Sequence, residues 1–163
     1  MTTRWILAVL LLIALAAPAQ KRETYRGPRP PKPDIPYLLH AENLIATEAV
    51  EAREDKRKEE TAYVVNGAAS PVRTPLAEPI FLIETEKLIP EKLELYKLVV
   101  KGGSREIAFP DNPKRRARIR PVHLIINKLD TNLYRIEANE GVENGEYSLT
   151  PAGSNQMFCF QVY

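Results

Sequence analysis

The sequence predicts a mainly β chain folded as an antiparallel β-sandwich. Three observations carry that expectation. Beyond Asn66, short runs of β-branched and aromatic residues recur, each bounded by Gly, Pro, Asn or Asp. One of them, Ile80-Phe81-Leu82-Ile83, is apolar throughout, as a strand buried on both faces would be. Others come in pairs around compact turns, as Leu93 to Val100 and Arg105 to Phe109 do around Lys101-Gly102-Gly103-Ser104.

The N-terminus stands apart from this pattern. Arg4 precedes an apolar run from Trp5 to Ala17, and Ala17-Pro18-Ala19 supplies small residues two apart. A basic start, a short apolar stretch and such a site read as a secretory signal peptide over residues 1–19, cleaved before Gln20. The run is shorter than the roughly 20 residues that span a bilayer as a helix, so no transmembrane segment is expected after cleavage. Residues 20–36 hold prolines at 28, 30, 31, 33 and 36 among Lys21, Arg22, Arg26, Arg29 and Lys32. Proline removes backbone donors and favours extended geometry, so this segment reads as a stiff basic linker. Residues 37–163 are then the sandwich domain. Export leads to a periplasmic or extracellular location.

Residues 41–60 support two readings. Ala41, Leu44, Ile45, Glu48, Ala49 and Ala52 fall at helical spacing among good helix formers. The rival is a charged β-hairpin arm, running out from Leu44 to Arg53, turning through Glu54-Asp55-Lys56-Arg57-Lys58 and returning from Glu59 to Asn66. The return is rich in strand formers, Thr61-Ala62-Tyr63-Val64-Val65, and no Gly or Pro marks a helix-to-strand junction. The hairpin is favoured.

The remaining elements follow in order. Ser70 to Pro79 contains three prolines and is expected to be a crossing loop. Arg116 to Asn127 reads as a strand that Pro121 confines to an edge or bulge. Leu133 to Ala138, Glu146 to Leu149 and Met157 to Tyr163 close the chain. The stretch Val142-Glu143-Asn144-Gly145-Glu146-Tyr147-Ser148-Leu149 resembles the corner before the penultimate strand of immunoglobulin-like and fibronectin-type sandwiches. The resemblance implies that the Tyr147 hydroxyl bonds back to the backbone just upstream. It covers about twenty residues and lacks the paired core cysteines of antibody domains, so it implies architecture and no activity.

Catalytic constellations are sparse. His40 and His123 are far apart and fit no metal-ligand spacing, so no metal or other cofactor is expected. Gly102-Gly103 lacks the Lys-Ser/Thr of a phosphate loop. Cys159, the single cysteine, lies between Phe158 and Phe160 and reads as a buried hydrophobe. Glu84, Glu86, Glu91 and Glu94 are spaced as on a solvated surface.

Charge is nearly balanced, with 23 Lys and Arg against 21 Asp and Glu, so generic nucleic-acid binding is not expected. The exception is Lys114-Arg115-Arg116-Ala117-Arg118-Ile119-Arg120, where five of seven residues are basic. On a strand, Arg116, Arg118 and Arg120 share a face about 7 Å apart and suit phosphates or carboxylates; the same charges also guard an edge strand against aggregation. Lys114, Arg115, Arg116, Arg118 and Arg120 are therefore the candidate anion- or partner-binding residues. The matching partner is an envelope protein, an anionic polysaccharide or a lipid headgroup. The acidic 37–112 stretch and the basic 113–163 stretch also allow self-association between copies. The expected function is a non-enzymatic envelope or extracellular binding or structural module. The alternatives are a carboxylate-dependent hydrolase of envelope glycans and a periplasmic assembly helper working by β-strand addition.

Overall fold

The structure is a computed structural model that describes residues 25–112 and 119–163. Thirteen strands appear in chain order: β1 (Tyr37–His40), β2 (Asn43–Ala46), β3 (Glu48–Glu51), β4 (Arg53–Lys56), β5 (Glu60–Asn66), β6 (Arg73–Thr74), β7 (Ile80–Glu84), β8 (Leu93–Lys101), β9 (Ser104–Pro110), β10 (Leu124–Lys128), β11 (Leu133–Ala138), β12 (Gly145–Pro151) and β13 (Gln156–Val162). One short 3₁₀ turn, Pro90–Lys92, precedes β8. Among the described residues no helix is long and apolar enough to cross a membrane.

The strands form two layers, as the sequence predicts, antiparallel in every pairing except that of β6 with β13, which is parallel. The five-stranded layer runs β10-β11-β7-β1-β2. The larger layer runs β3-β13-β12-β8-β9-β5-β4, with β6 beside β13. Its two ends belong to one piece of chain. β3 and β4 are separated by Ala52 alone; β3 pairs with β13 and β4 pairs with β5. A single bent strand, Glu48–Lys56, therefore closes the larger layer into a six-stranded barrel. At the bend, the Ala52 N–H donates to Asn155 O at 2.8 Å, and its small side chain is buried.

Two cores result. One is the sandwich core, where Leu38, Phe81, Ile83 and Ile136 of the five-stranded layer meet Leu95, Tyr147, Leu149, Phe158 and Phe160 of the barrel's outer wall. Phe81 and Phe160 pack edge-on, with ring centroids 5.1 Å apart. The second lies inside the barrel and gathers Val65, Tyr96, Leu98, Ile107, Met157 and Cys159. Side chains alternate across a strand, so β12 and β13 feed both cores at once. Tyr147 and Leu149 face the sandwich while Glu146, Ser148 and Thr150 face the barrel, all of them buried. Cys159 is fully buried, and burial pushes its thiol up to about 12, which removes it as a nucleophile at neutral pH.

The segment 41–60 is extended and the helical alternative is not found. The hairpin turns later than predicted, with Lys56 opposite Thr61 and Arg57-Lys58-Glu59-Glu60 between them. Only Arg53–Lys56 pairs with the returning strand; Asn43–Ala46 joins the five-stranded layer beside β1 and Glu48–Glu51 pairs with β13, so the expected outward strand from Leu44 to Arg53 is divided between the two layers rather than forming a free arm. The Tyr147 hydroxyl donates to Glu143 O at 2.8 Å, the upstream backbone bond that its position before the last strands implied. Part of the segment read as a linker lies against the domain. Pro30 and Pro36 are buried, and Thr47 donates through its N–H and its Oγ1 to Pro36 O, at 3.1 and 2.7 Å. Asp34 accepts the backbone N–H groups of Glu86, Lys87 and Leu88 at 2.9–3.1 Å. Burial opposes its charge, but these three donors hold its carboxyl below the usual range. Arg29 pairs with Asp130 at the same end of the five-stranded layer. The expected signal peptide at 1–19 lies outside the described residues, as do residues 20–24.

Candidate functional site

The barrel interior has two ends of different character. At one end polar groups are closed on each other. Arg105, on β9, is 1% exposed and holds Glu48 of β3 in a fork, Nη1 to Oε2 at 2.7 Å and Nη2 to Oε1 at 3.0 Å. Its Nε donates to Gly67 O at 3.0 Å and its Nη2 also to Asn66 O at 3.1 Å. Burial alone would lower the guanidinium's pKa, but the paired Glu48 raises it above its ordinary value. Glu146 of β12 reaches the same group, 3.7 Å from Arg105 Nη1, and accepts the Ser70 N–H at 2.9 Å through Oε2. Its Oε1 is buried without a hydrogen-bond partner among the described residues, and burial raises its carboxyl. This end is a structural plug. Gly67, at φ 89°, supplies the turn that aims its carbonyl at Arg105, a conformation glycine adopts without strain.

The other end is open. β8 stays with β9 only from Val99 to Lys101, and from Leu98 back to Leu93 it pairs with β12 instead. The two strands splay, and a cavity of about 380 Å³ occupies the mouth between the β4–β5, β8–β9 and β12–β13 elements. Its walls include Tyr63, Tyr96 and Phe109, with Glu54, Glu94 and Asp111 at the rim and Met157 toward the interior. Phe109 stands across both tyrosines, 6.1 Å from Tyr63 at 71° and 5.4 Å from Tyr96 at 83°, centroid to centroid. The Tyr96 hydroxyl donates to Glu94 Oε2 at 2.9 Å. A second hollow shares Glu94, Tyr96, Phe109 and Pro110 with the first and continues along the splayed gap to Ile119, Arg120 and Pro121. The chain reaches this gap because Val122 bridges to Leu95, its N–H bonding Leu95 O at 2.8 Å.

Of the basic residues singled out from sequence, Arg120 lines the second hollow, is exposed, and forms no ion pair among the described residues. Lys114, Arg115, Arg116 and Arg118 lie outside the described residues. The strand predicted over Arg116 to Asn127 is observed from Leu124 to Lys128, after the single bridge at Val122. Glu94 enters the site, while Glu84, Glu86 and Glu91 do not line either hollow. The aromatic walls are the component that sequence reasoning missed. Tyr63, Tyr96 and Phe109 come from three strands, and only the pairing of β5 with β9 and of β8 with β9 brings them together.

Among the described residues no cluster of three or more His, Cys, Asp and Glu is arranged to hold a metal ion. The concavity combines aromatic faces, acceptor-only carboxylates and the Arg120 guanidinium, which has no ion pair among the described residues, a set suited to holding a ligand by shape and charge. No family model matches this chain, and no curated protein or solved structure shows significant similarity to it.

Proposed function

We propose that this protein is an exported, non-enzymatic binding module of the cell envelope or extracellular space, and that its ligand enters at the open barrel mouth. The observation that carries the reading is the contrast within one barrel. The polar residues at the plugged end bond one another, while those at the mouth line a concavity of small-ligand size. The signal-like residues 1–19 support export, and the Tyr147 corner supports kinship with immunoglobulin-like sandwiches. Arg120 at the rim keeps an anionic surface polymer, a lipid headgroup or an acidic protein face among the partners.

Fractionation combined with co-sedimentation on isolated envelope material tests this. The wild-type protein is expected in the exported fraction and to sediment saturably, and Glu94→Lys is expected to stay in the supernatant. Equal sedimentation of the two would remove the mouth as the binding site. A glycan-hydrolase reading draws on the three carboxylates at the same rim. It would take over if wild-type protein released reducing ends from purified envelope glycan and Glu94→Gln did not. Strand addition draws on β10, which pairs with β11 alone and so leaves one side of its backbone open among the described residues.

A further inference from the structure

We infer that the mouth is built for a zwitterionic ligand of the phosphocholine class, with its ammonium group between the aromatic walls and its phosphate at Arg120. The inference rests on the reading of the mouth as a binding site and names what that site takes.

The argument begins with the walls. An organic ammonium group is drawn to aromatic faces, most strongly within about 6 Å of a ring centroid, and a quaternary ammonium has no N–H that needs an acceptor. Phe109 stands steeply to both Tyr63 and Tyr96, at 71° and 83°, and all three line the cavity, so they offer walls of different orientation rather than a flat stack. Phe109 turns across both tyrosines, which suits a roughly spherical group better than a planar one. The rim adds charge of the right sign. Glu54, Glu94 and Asp111 line the same cavity, and Glu94 is held in place by the Tyr96 hydroxyl. A low-dielectric hollow strengthens the attraction of these carboxylates for a cation and their repulsion of an anion.

The second hollow supplies the other half. It shares four residues with the first, so one ligand can span both, and it is lined by Arg120, an exposed guanidinium without an ion pair among the described residues. A simple cation would meet Arg120 as a like charge, and a simple anion would meet three carboxylates. A ligand with separated charges satisfies both. A guanidinium binds phosphate through a two-pronged contact, so phosphate is the fitting anionic end. The cavity volume of about 380 Å³ falls within the range of small-ligand pockets and leaves room for the headgroup without its acyl chains.

Isothermal titration of the full exported protein with phosphocholine, choline chloride and inorganic phosphate tests the inference. Phosphocholine should bind saturably and tighter than choline, and inorganic phosphate should not compete with it. Arg120→Gln, at an exposed position, should weaken phosphocholine about tenfold and leave choline unchanged. Tyr63→Leu should weaken both ligands alike. Flotation with phosphatidylcholine vesicles distinguishes the source. Vesicle binding competed away by phosphocholine identifies a lipid headgroup, and phosphocholine binding without vesicle binding identifies a free or polymer-borne group. No saturable phosphocholine binding, phosphate competing as well as phosphocholine, or an equal loss of choline and phosphocholine in Arg120→Gln overturns the proposal. If mouth-dependent envelope sedimentation persists while phosphocholine fails to bind, the ligand class falls and the binding module stands. Loss of both removes both.

Discussion

The plugged and open ends of the barrel are made by the same strands and differ in what their polar residues face. On β9, Arg105 points into a closed network and Phe109, four residues on, walls a cavity. On the bent strand that closes the barrel, Glu48 is locked by Arg105 and Glu54 lines the rim. Buried charge is tolerated only where partners surround it, so the plug holds its arginine in a fork and the mouth keeps its carboxylates near solvent. The difference separates what fixes the barrel's shape from what is available to a ligand.

The comparison can be broken most severely at the plug. Arg105→Leu would leave Glu48 and Glu146 without their shared cation, and we expect a loss of about 3–5 kcal/mol in denaturant unfolding. A loss under about 1 kcal/mol would show that the plug does not brace the barrel. The outer wall comes next. Tyr147→Phe removes the bond to Glu143 O from a side chain that is 2% exposed, and should cost roughly 1–3 kcal/mol by thermal or chemical unfolding.

Glu146 sharpens the contrast through pH. Burial raises its carboxyl, so the fold favours its neutral form. The penalty for ionising it is complete above its raised folded pKa and is relieved as pH falls from there toward the unfolded value. Glu146→Gln carries no such titration. The wild-type protein should therefore gain stability relative to this variant as the solution is acidified through that window, and a constant difference across pH would remove the assigned shift. The smallest effect belongs to the mouth. Glu94→Gln should change unfolding free energy by under about 0.5 kcal/mol while reducing envelope sedimentation.

Much of the layered β architecture is legible in the residues. The Gly102-Gly103 turn, the apolar Ile80–Ile83 run and the Gly145–Tyr147 corner each specify local geometry with a local cause. The barrel is not legible in the same way. Ala49 and Ala52 belong to a stretch with helical spacing, and only pairing with β13, about a hundred residues later, makes it a strand. In Glu146-Tyr147-Ser148-Leu149-Thr150 the polar alternation matches a strand with one wet face. That face is instead turned into a second core, and nothing in a period of two distinguishes solvent from a polar barrel interior. The site was hidden for a related reason. Arg120 stands out through its basic neighbours, whereas Tyr63, Tyr96 and Phe109 carry no common spacing.

The bent strand Glu48–Lys56 also sets an order of events. Its first half finds its partner in Met157-Phe158-Cys159, about a hundred residues further along the chain. A nascent chain that has emerged only as far as β12 can form the β4–β5 hairpin but cannot shut the barrel, and Ala49 and Val50 must wait with their backbone groups open to water or to a chaperone. Closure is a contact of high sequence separation and is expected to come late and slowly. A chain ending before Gln156 would therefore expose a ready-made template for another strand, and aggregation of such a truncation is the cost of ending a barrel where it began.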